Sequence, residues 1–455
     1  MLRYFACLLC VTALSGEAFA RDRTLLAQAT SDAPPGGQMS TADAKATAKP
    51  RGSKAKAEAV TLDEAILRGL ARSPRLKASQ AAEAASRGER RQAGALLNPE
   101  VSFSKENFRA GKAYKVISPA QNVYGVSQRV EVGGKIASRE RIAEEGVQIA
   151  SLETRATALD LIRDITIAYA EAVAAEENVR LSAEQKELAD DVLKSVSMRV
   201  EAAASPQIQR SRAEVERSAA AVALDGAKRE REIARRALAT LMGQVEADFK
   251  LDNKAFFTLS KPDAPEDPEG LKGNPDVLKL NPALEQSRAR LELERANAIP
   301  DPLLSAGVIE IPSARDKAFV VGVSLPLPVF NANRGNIERA RGELSRTEQE
   351  NRRVALSLDA DLARAGQQLE NAYVQANTLK SRIIPSAQEA FSLAREGYGL
   401  GRFPYLEVLD AQRSLFAVKQ QHIAALRQYH TARAVVERLT ASHADDAANM
   451  LARSD

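Results

Sequence analysis

The chain has 455 residues, and its 64 Lys and Arg nearly balance its 60 Asp and Glu, which leaves a formal net charge of +4. Both signs are mixed along the sequence rather than collected into basic runs, which argues against binding to nucleic acid. Aromatic residues make up 4 % and Trp is absent, so there is too little ring area for the core of a large globular enzyme. Stretches rich in Ala, Leu, Glu and Arg favour long helices packed through small residues.

Residues 1–20 have the pattern of a secretory signal peptide. An apolar run from Tyr4 to Leu14 leads to a small-x-small cleavage site that ends at Ala20. A run of about 11 residues is too short for a membrane anchor, which needs roughly 20. The only cysteines, Cys7 and Cys10, lie inside this segment, so we expect the exported chain to hold no disulfide and no thiolate metal site. Lipidation of Cys10 is an alternative that the two preceding leucines disfavour.

The rest of the chain is organised as two copies of one pattern. Residues 21–59 are rich in Ala, Lys, Thr and Pro and predict a flexible linker. The first copy spans 60–243 and the second 281–440. A Pro- and Gly-rich insert at 244–280 separates them, and a tail at 441–455 follows. Each copy is predicted to contain a helix, a pair of strands, a long helix, a turn and a return helix.

Specific residues mark the predicted element ends. Thr61 with Glu64 forms a capping-box pattern that starts the first helix at Leu62. Pro206 and Pro404 begin the two return helices, because proline lacks the N–H of a helix interior but suits its first turn.

The strands are predicted from apolar residues that alternate with polar ones after Asn98-Pro99 and after Asp301-Pro302. The second strand of the first copy is expected to extend to Val132. Lys105, Glu106 and Asn107 interrupt the alternation, so we expect them in a loop outside the bilayer. The long helices are expected from about Gly134 to Val200 and from about Gly335 to Gly399, each roughly 100 Å long at 1.5 Å per residue.

This pattern predicts how the chain meets a membrane. After the signal, no stretch approaches 18 uninterrupted apolar residues, so any crossing must consist of strands. Four strands cannot close, because open edges leave unpaired backbone groups in hydrocarbon, and the smallest spanning barrels need about eight strands. Three chains supply about twelve strands. The alternative is a soluble four-stranded sheet buried against helices.

The predicted fold class is mainly α with a small β part. Duplicated long helical hairpins form a periplasmic α-barrel, and four strands per chain contribute to a trimeric 12-stranded membrane β-barrel. The long helices are too charged to lie in lipid and carry one apolar stripe, so they are expected to pack side by side as coiled coils in water.

Three segments resemble a known family. The run EGYGLGRFPYLEVLDAQ at 396–412 resembles the periplasmic tip of the TolC family of outer-membrane efflux proteins. The strand-to-helix passages QRVEVGGK at 128–135 and LPLPVFNANRG at 325–335 resemble its CzcC-like heavy-metal branch. The resemblance extends over both copies, from Leu62 to Leu439.

The resemblance implies a passive homotrimeric duct in the bacterial outer membrane with a large periplasmic portion. It implies four partners: other copies of the chain, a periplasmic adaptor (membrane fusion protein), an inner-membrane RND-type pump and outer-membrane lipid. The heavy-metal branch implies metal cations as cargo. Drug efflux or type I secretion through the same channel is an alternative, and a periplasmic coiled-coil structural or adaptor protein is an alternative of another class.

The resemblance also implies an adaptor-contact site at the tips of the helical hairpins. The candidate residues are Ala204, Ser205, Gly399, Gly401, Arg402 and Phe403. The alternative is a plain helix–turn–helix in which glycine only supplies a positive φ. The first turn has Ala202-Ala203-Ala204 where the second has glycines, so the contact there is less well defined.

Catalytic and cofactor sites have no candidate in the sequence, and we predict a protein that is not an enzyme. Gly133-Gly134-Lys135 lacks the remaining residues of a P-loop, so a strand-to-helix bend is expected there. His422 and His430 are eight residues apart on one predicted helix. Because no third ligand accompanies them, we predict no metal site and a solvated helix face.

Overall fold

The computed structural model describes residues 59–108, 119–262 and 268–444. The predicted signal peptide, and most of the predicted linker and tail, lie outside these residues. The first copy contains α1 (Leu62–Arg72), α2 (Pro74–Ala93), β1 (Glu100–Glu106), β2 (Gln121–Arg129), α3 (Lys135–Glu201) and α4 (Gln207–Leu241). The second contains α5 (Pro275–Leu278), α6 (Leu280–Asn297), β3 (Leu303–Ile311), β4 (Asp316–Ser324), α7 (Arg334–Thr378), α8 (Ile384–Gly399) and α9 (Tyr405–Leu439). The predicted mainly helical class with four strands is confirmed.

The helix starts follow the predicted local signals. The Glu64 N–H donates to Thr61 Oγ1 at 3.3 Å and caps α1. Pro206 and Pro404 are the N-cap residues of α4 and α9. Among the described residues, every helix is too short or too polar to cross a membrane.

The sequence predicts one continuous second long helix, but in the structure this helix is interrupted. A π-helical segment, Leu379–Ile383, separates α7 from α8. Pro385 lies in the first turn of α8. Proline cannot donate to the carbonyl one turn earlier and its ring crowds that carbonyl, so the backbone widens locally. The matching helix α3 has no proline and runs unbroken for 67 residues.

The four strands form one antiparallel sheet in the order β1-β2-β3-β4. Paired residues give the sheet two different faces. One face carries mostly apolar side chains: Val101, Phe103, Tyr124, Val126, Leu304, Ala306, Val308, Phe319, Val321 and Val323, with Gln128 beside Leu304. The opposite face carries more small and polar residues: Ser102, Ser104, Gly125, Ser127, Ser305, Gly307, Gly322 and Ser324. It also carries aliphatic side chains: Val123, Leu303, Ile309, Ile311 and Val320. At one end the apolar face meets a polar row of Lys105, Asn122, Glu310 and Lys317.

Two details of the strands differ from the prediction. Lys105 and Glu106 lie inside β1, paired with Asn122 and Gln121, rather than in the loop. β2 ends at Arg129 instead of Val132.

The bend between β2 and α3 is the predicted one, with φ of +76° at Gly133 and +81° at Gly134. Lys135 follows it and is only 7 % exposed. Its Nζ donates to Asp301 Oδ1 at 2.6 Å and to the Ile299 carbonyl at 2.8 Å, and the Val132 N–H also donates to Asp301 Oδ1 at 2.9 Å. Burial opposes ionisation of Asp301, but these hydrogen bonds outweigh it and lower the pKa of that carboxyl group. The start of the second copy's strand pair is thereby fixed to the end of the first copy's strand pair.

The main core lies midway along the helices, where the insert after α4 packs against α3 and α9. Val60 pairs with Leu251 as a short parallel bridge. The Tyr169 hydroxyl donates to the Asp252 carbonyl at 2.7 Å and lies 2.9 Å from that of Val60. Burial raises the pKa of Tyr169 to about 12. One side chain of α3 therefore contacts both the segment that precedes α1 and the insert.

Candidate functional site

The two hairpin turns have the same backbone structure. After α3, Ala203 has φ of +54° and the Ala204 N–H donates to the Arg199 carbonyl at 2.8 Å. After α8, Gly401 has φ of +72° and the Arg402 N–H donates to the Gly397 carbonyl at 2.8 Å. Both are Schellman ends, with the left-handed residue one position before the donor. The alanine-rich first turn is thus a close match to the glycine-containing second one, at the cost of a left-handed alanine.

The six predicted tip residues all lie at these turns. Five of them are exposed, namely Ala204, Gly399, Gly401, Arg402 and Phe403, while Ser205 is half-buried. Among the described contacts, the two turns meet through Arg199 rather than through these six side chains. Its guanidinium donates to the Gly399 carbonyl at 3.2 Å and lies 4.4 Å from the centre of the Tyr398 ring. The two turns therefore form one surface at the end of the hairpins.

Phe403 is the bulkiest exposed side chain of the second turn. Its ring lies directly over Gly397, where a Cβ atom would overlap the ring. Gly397 therefore allows the chain to fold back between α8 and α9 with the ring at the surface. Its role in the site was missed by the sequence analysis.

Beneath the turns, Tyr398 and Tyr405 pack against each other with ring centres 5.9 Å apart. Tyr405 belongs to a small apolar cluster with Val196 and Leu409 and is 3 % exposed. Within the described part of the chain, neither tyrosine hydroxyl has a hydrogen-bond partner. Burial, followed by the nearby charge of Glu216, raises the pKa of Tyr405. Two aromatic residues seven positions apart, in a chain with few aromatics, were the available signal for this cluster.

Ion pairs connect the two hairpins above the turns. Arg413 on α9 donates to Glu216 on α4 at 2.7 Å, and Lys419 on α9 donates to Glu184 on α3 at 3.0 Å. Between the hairpins, near the turns, lies a cavity of about 450 Å³ whose lining includes Met198, Phe391 and Tyr398. The hairpins are held together by apolar packing and charge pairs.

The two helical histidines are not on a solvated face, so that prediction was wrong. His422 is 9 % exposed, and His430 is partly buried, with Nε2 2.9 Å from the Phe256 carbonyl and its ring stacked on Phe256. Burial lowers the pKa of both. Phe256 belongs to the insert, and no local signal in the sequence predicts that the insert packs against α9. In residues 59–108, 119–262 and 268–444, no group of three His, Cys, Asp or Glu side chains could hold a metal ion.

Comparison with known proteins assigns the family. Residues 66–244 and 268–442 match the outer membrane efflux protein family. The chain belongs to this family. The resemblance to the TolC family of outer-membrane efflux proteins is confirmed.

As an outer membrane efflux protein, the chain is similar to the cobalt-zinc-cadmium resistance protein CzcC of Cupriavidus metallidurans, with 29 % identity over 76 % of this chain and 82 % of that one. It is 26 % identical to the nickel and cobalt resistance protein CnrC of the same organism, over 68 % of this chain and 72 % of that one. These two matches confirm the predicted CzcC-like branch.

Among solved structures, the outer membrane protein VceC of Vibrio cholerae has the same fold, with a TM-score of 0.72 and 19 % identity over 83 % of this chain and 95 % of that one. Membership of this family means that the protein takes part in efflux through the outer membrane and has a large periplasmic part, as predicted. It is a family of transport components.

Proposed function

We propose that this efflux protein is a passive trimeric duct that carries heavy-metal cations across the periplasm and outer membrane, and that it catalyses no reaction. The observation that carries the proposal is the apolar face of the sheet. Val101, Phe319 and Val321 on this face are 83 %, 85 % and 82 % exposed. In water this face is unfavourable, at about 25 cal/mol per Å² of apolar surface, whereas lipid solvates it.

The two faces of the sheet support its use as part of a barrel wall. The small and polar residues of the opposite face, such as Ser102, Ser305 and Ser324, suit a water-filled lumen. The polar row containing Lys105, Glu310 and Lys317 marks the upper limit of the apolar face. At the two edges of the four-stranded sheet, β1 and β4 each have one unpaired side among the described strands. Three copies joined edge to edge close a barrel of about twelve strands without free edges.

The helices form the periplasmic part in this proposal. α3 has 67 residues and α9 has 35, and α3 alone is about 100 Å long at 1.5 Å per residue. Four helical legs per chain, packed in a ring of three chains, make a hollow cylinder below the membrane. We propose the same division of the chain as before: copies at 60–243 and 281–440, joined by the insert at 244–280.

The names of the relatives and the chemistry of the duct support the proposed cargo and partners. CzcC and CnrC are named for resistance to cobalt, zinc, cadmium and nickel, and a duct that passes such ions needs no tight metal site of its own. Energy and selection then come from an inner-membrane RND-type pump, and a periplasmic adaptor connects it to the tip. The adaptor contacts are Ala204, Ser205, Gly399, Gly401, Arg402 and Phe403, five of which are exposed.

Two measurements test the duct. The detergent-extracted protein should have the mass of a trimer and should give steady single-channel conductance in a planar bilayer. Expression in a strain that lacks its own metal-efflux channel should restore tolerance to cobalt, zinc or cadmium when the matching adaptor and pump are present. A monomer that does not insert into lipid would contradict the duct, and restored drug tolerance without metal tolerance would reassign the cargo.

The tip contact is tested by two variants of one residue. Gly401→Ala and Gly401→Trp share the left-handed backbone penalty, but only Trp adds bulk at the surface. We expect metal tolerance to persist in Gly401→Ala and to be lost in Gly401→Trp, with trimers in the outer membrane in both. Equal tolerance in the two variants would remove Gly401 from the contact surface.

A further inference from the structure

The inference begins with the junction between the two copies inside one chain. β2 of the first copy lies beside β3 of the second. Next to the end of β2 and the start of β3, Lys135 donates to Asp301 and to the carbonyl of Ile299. Ile299 also covers Gly133, where a Cβ atom would lie 2.8 Å from Ile299 Cδ1. The junction therefore combines a cation, an acceptor pair and an apolar cover.

The duplication of the chain supplies a second set of the same positions. Lys135 is the first residue of α3 and follows the left-handed N-cap Gly134, and Arg334 is the first residue of α7 and follows the left-handed N-cap Asn333. On the acceptor side, Asp301-Pro302 precedes β3 as Asn98-Pro99 precedes β1.

Within one chain these second positions cannot meet. Arg334 follows β4 and Asn98 precedes β1, and these strands are the opposite edges of the sheet, about 14 Å apart at 4.8 Å per strand. Both residues are exposed. Their side chains make no hydrogen bond or ion pair with another residue in the described ranges. A cation and an acceptor are thus left without partners at complementary edges.

We propose that Arg334 of one copy bonds the side-chain oxygen of Asn98 and the carbonyl of Leu96 of the next copy, which closes the junction between subunits as Lys135 closes it within the chain. The proposal rests on the trimeric duct. β4 then pairs antiparallel with β1 of the next copy. The passage from β4 to α7 is residues 325–333, longer than 130–134 between β2 and α3. The longer guanidinium side chain, with five donors, suits this wider gap.

The apolar part of the junction supports the same partner. Leu96 takes the place of Ile299, two residues before the acceptor, and is 75 % exposed. Leu327, in the passage that would lie beside it, is 74 % exposed. Packing these side chains across the subunit boundary removes apolar surface from water at the foot of the barrel. A second copy of the chain covers both at once.

Cysteine cross-linking tests the junction, since the only cysteines of the sequence lie in the predicted signal peptide. We expect Asn98→Cys/Arg334→Cys, treated with a short bismaleimide in the membrane, to give covalent dimers and trimers. Each single variant should stay monomeric on a denaturing gel. The matched control is Asn98→Cys/Arg315→Cys, because Arg315 lies in the turn at the far end of the hairpin, about 27 Å away along the strand.

The outcomes separate this inference from the proposed duct. If the unmodified protein has the mass of a trimer but the pair does not cross-link, or cross-links no better than the control, the junction is overturned and the duct stands. If the protein is a monomer, both fail. Charge exchange gives a second readout. Asn98→Lys should lower the temperature at which trimers dissociate by about 2 °C or more, and Asn98→Lys/Arg334→Asp should restore it. No restoration would also overturn the contact.

Discussion

Ala203 and Gly401 occupy the same left-handed position in the two hairpin turns, with φ of +54° and +72°. One turn has glycine at this position and the other has alanine, although the two backbone conformations are similar. Because Cβ meets the carbonyl oxygen in this conformation, alanine costs about 1 kcal/mol there.

We therefore expect Ala203→Gly to raise the free energy of unfolding by about 0.5–1 kcal/mol, and Gly401→Ala to lower it by about 1 kcal/mol. Denaturant unfolding in detergent, followed by circular dichroism, measures both. Ala204→Gly is the control, because its residue has no positive φ. A gain in this control as large as in Ala203→Gly would show that the effect does not come from the backbone conformation.

The buried tyrosines provide a matched pair. Tyr405 and Tyr429 are 3 % and 2 % exposed. The Tyr429 hydroxyl donates to the Ser260 carbonyl at 2.9 Å, whereas that of Tyr405 has no partner among the described residues. We expect Tyr429→Phe to lose about 1 kcal/mol of stability and Tyr405→Phe to lose none. An equal loss in the two variants, measured by the same unfolding assay, would mean that Tyr405 bonds to a group supplied by water or another subunit.

The ion pair between Lys135 and Asp301 is partly buried, with side-chain exposures of 7 % and 17 %. Lys135→Met leaves the carboxylate without its cation, so we expect a loss of about 3 kcal/mol. Lys317→Met is the control, because its pair with Glu310 is 3.9 Å long and 67 % exposed on the lysine side. Thermal unfolding should separate the two variants clearly, and a similar small shift in both would refute the structural role of Lys135.

Acidification should destabilise the α9 region through its histidines. Burial lowers the pKa of His422, with Lys380 adding to the effect. Burial also lowers that of His430, with Arg433 adding to it and the Phe256 carbonyl and Glu437 opposing it. An unfolded histidine has a pKa of about 6.5, so the unfolded state binds more protons below that pH. Stability is therefore highest above about pH 6.5 and falls below it.

This pH effect can be measured directly. We expect NMR titration of His422 and His430 to give midpoints below 6.5, and the thermal midpoint to fall between pH 7.5 and 5.5. The fall should be smaller in His422→Leu. A midpoint at or above 6.5 for both imidazoles would contradict the assigned burial.

Local signals in the sequence predicted most of the fold. Thr61, Pro206 and Pro404 mark helix starts through chemistry that acts within one turn, and the structure agrees. The alternation of apolar and polar residues also predicted the positions of the four strands. The errors concern contacts between distant segments. No sequence pattern around His430 predicts that Phe256 stacks on it. No sequence pattern around Val132 predicts that Asp301 accepts its N–H.

The π-helical segment was also not predicted, although its cause is visible in the sequence. Pro385 interrupts an otherwise helical pattern, which predicts a local break. At the tip, Gly399 and Gly401 allowed the exposed turn to be predicted from the sequence. The residues that hold the two turns together, Arg199 and Tyr398, are ordinary helix residues whose contact depends on how the hairpins pack.

The open edges of β1 and β4 also have a kinetic consequence. In the proposed trimeric barrel, a single copy would be unstable in the bilayer, because the N–H and carbonyl groups of its edge strands would face hydrocarbon without partners. The single copy would also be unstable in water, because its apolar face, with Phe319 85 % exposed, would contact solvent. Insertion and association must then occur together, so the yield of inserted protein should rise more steeply than linearly with the amount of chain delivered to the membrane. Low expression would leave degraded protein rather than single subunits in the membrane.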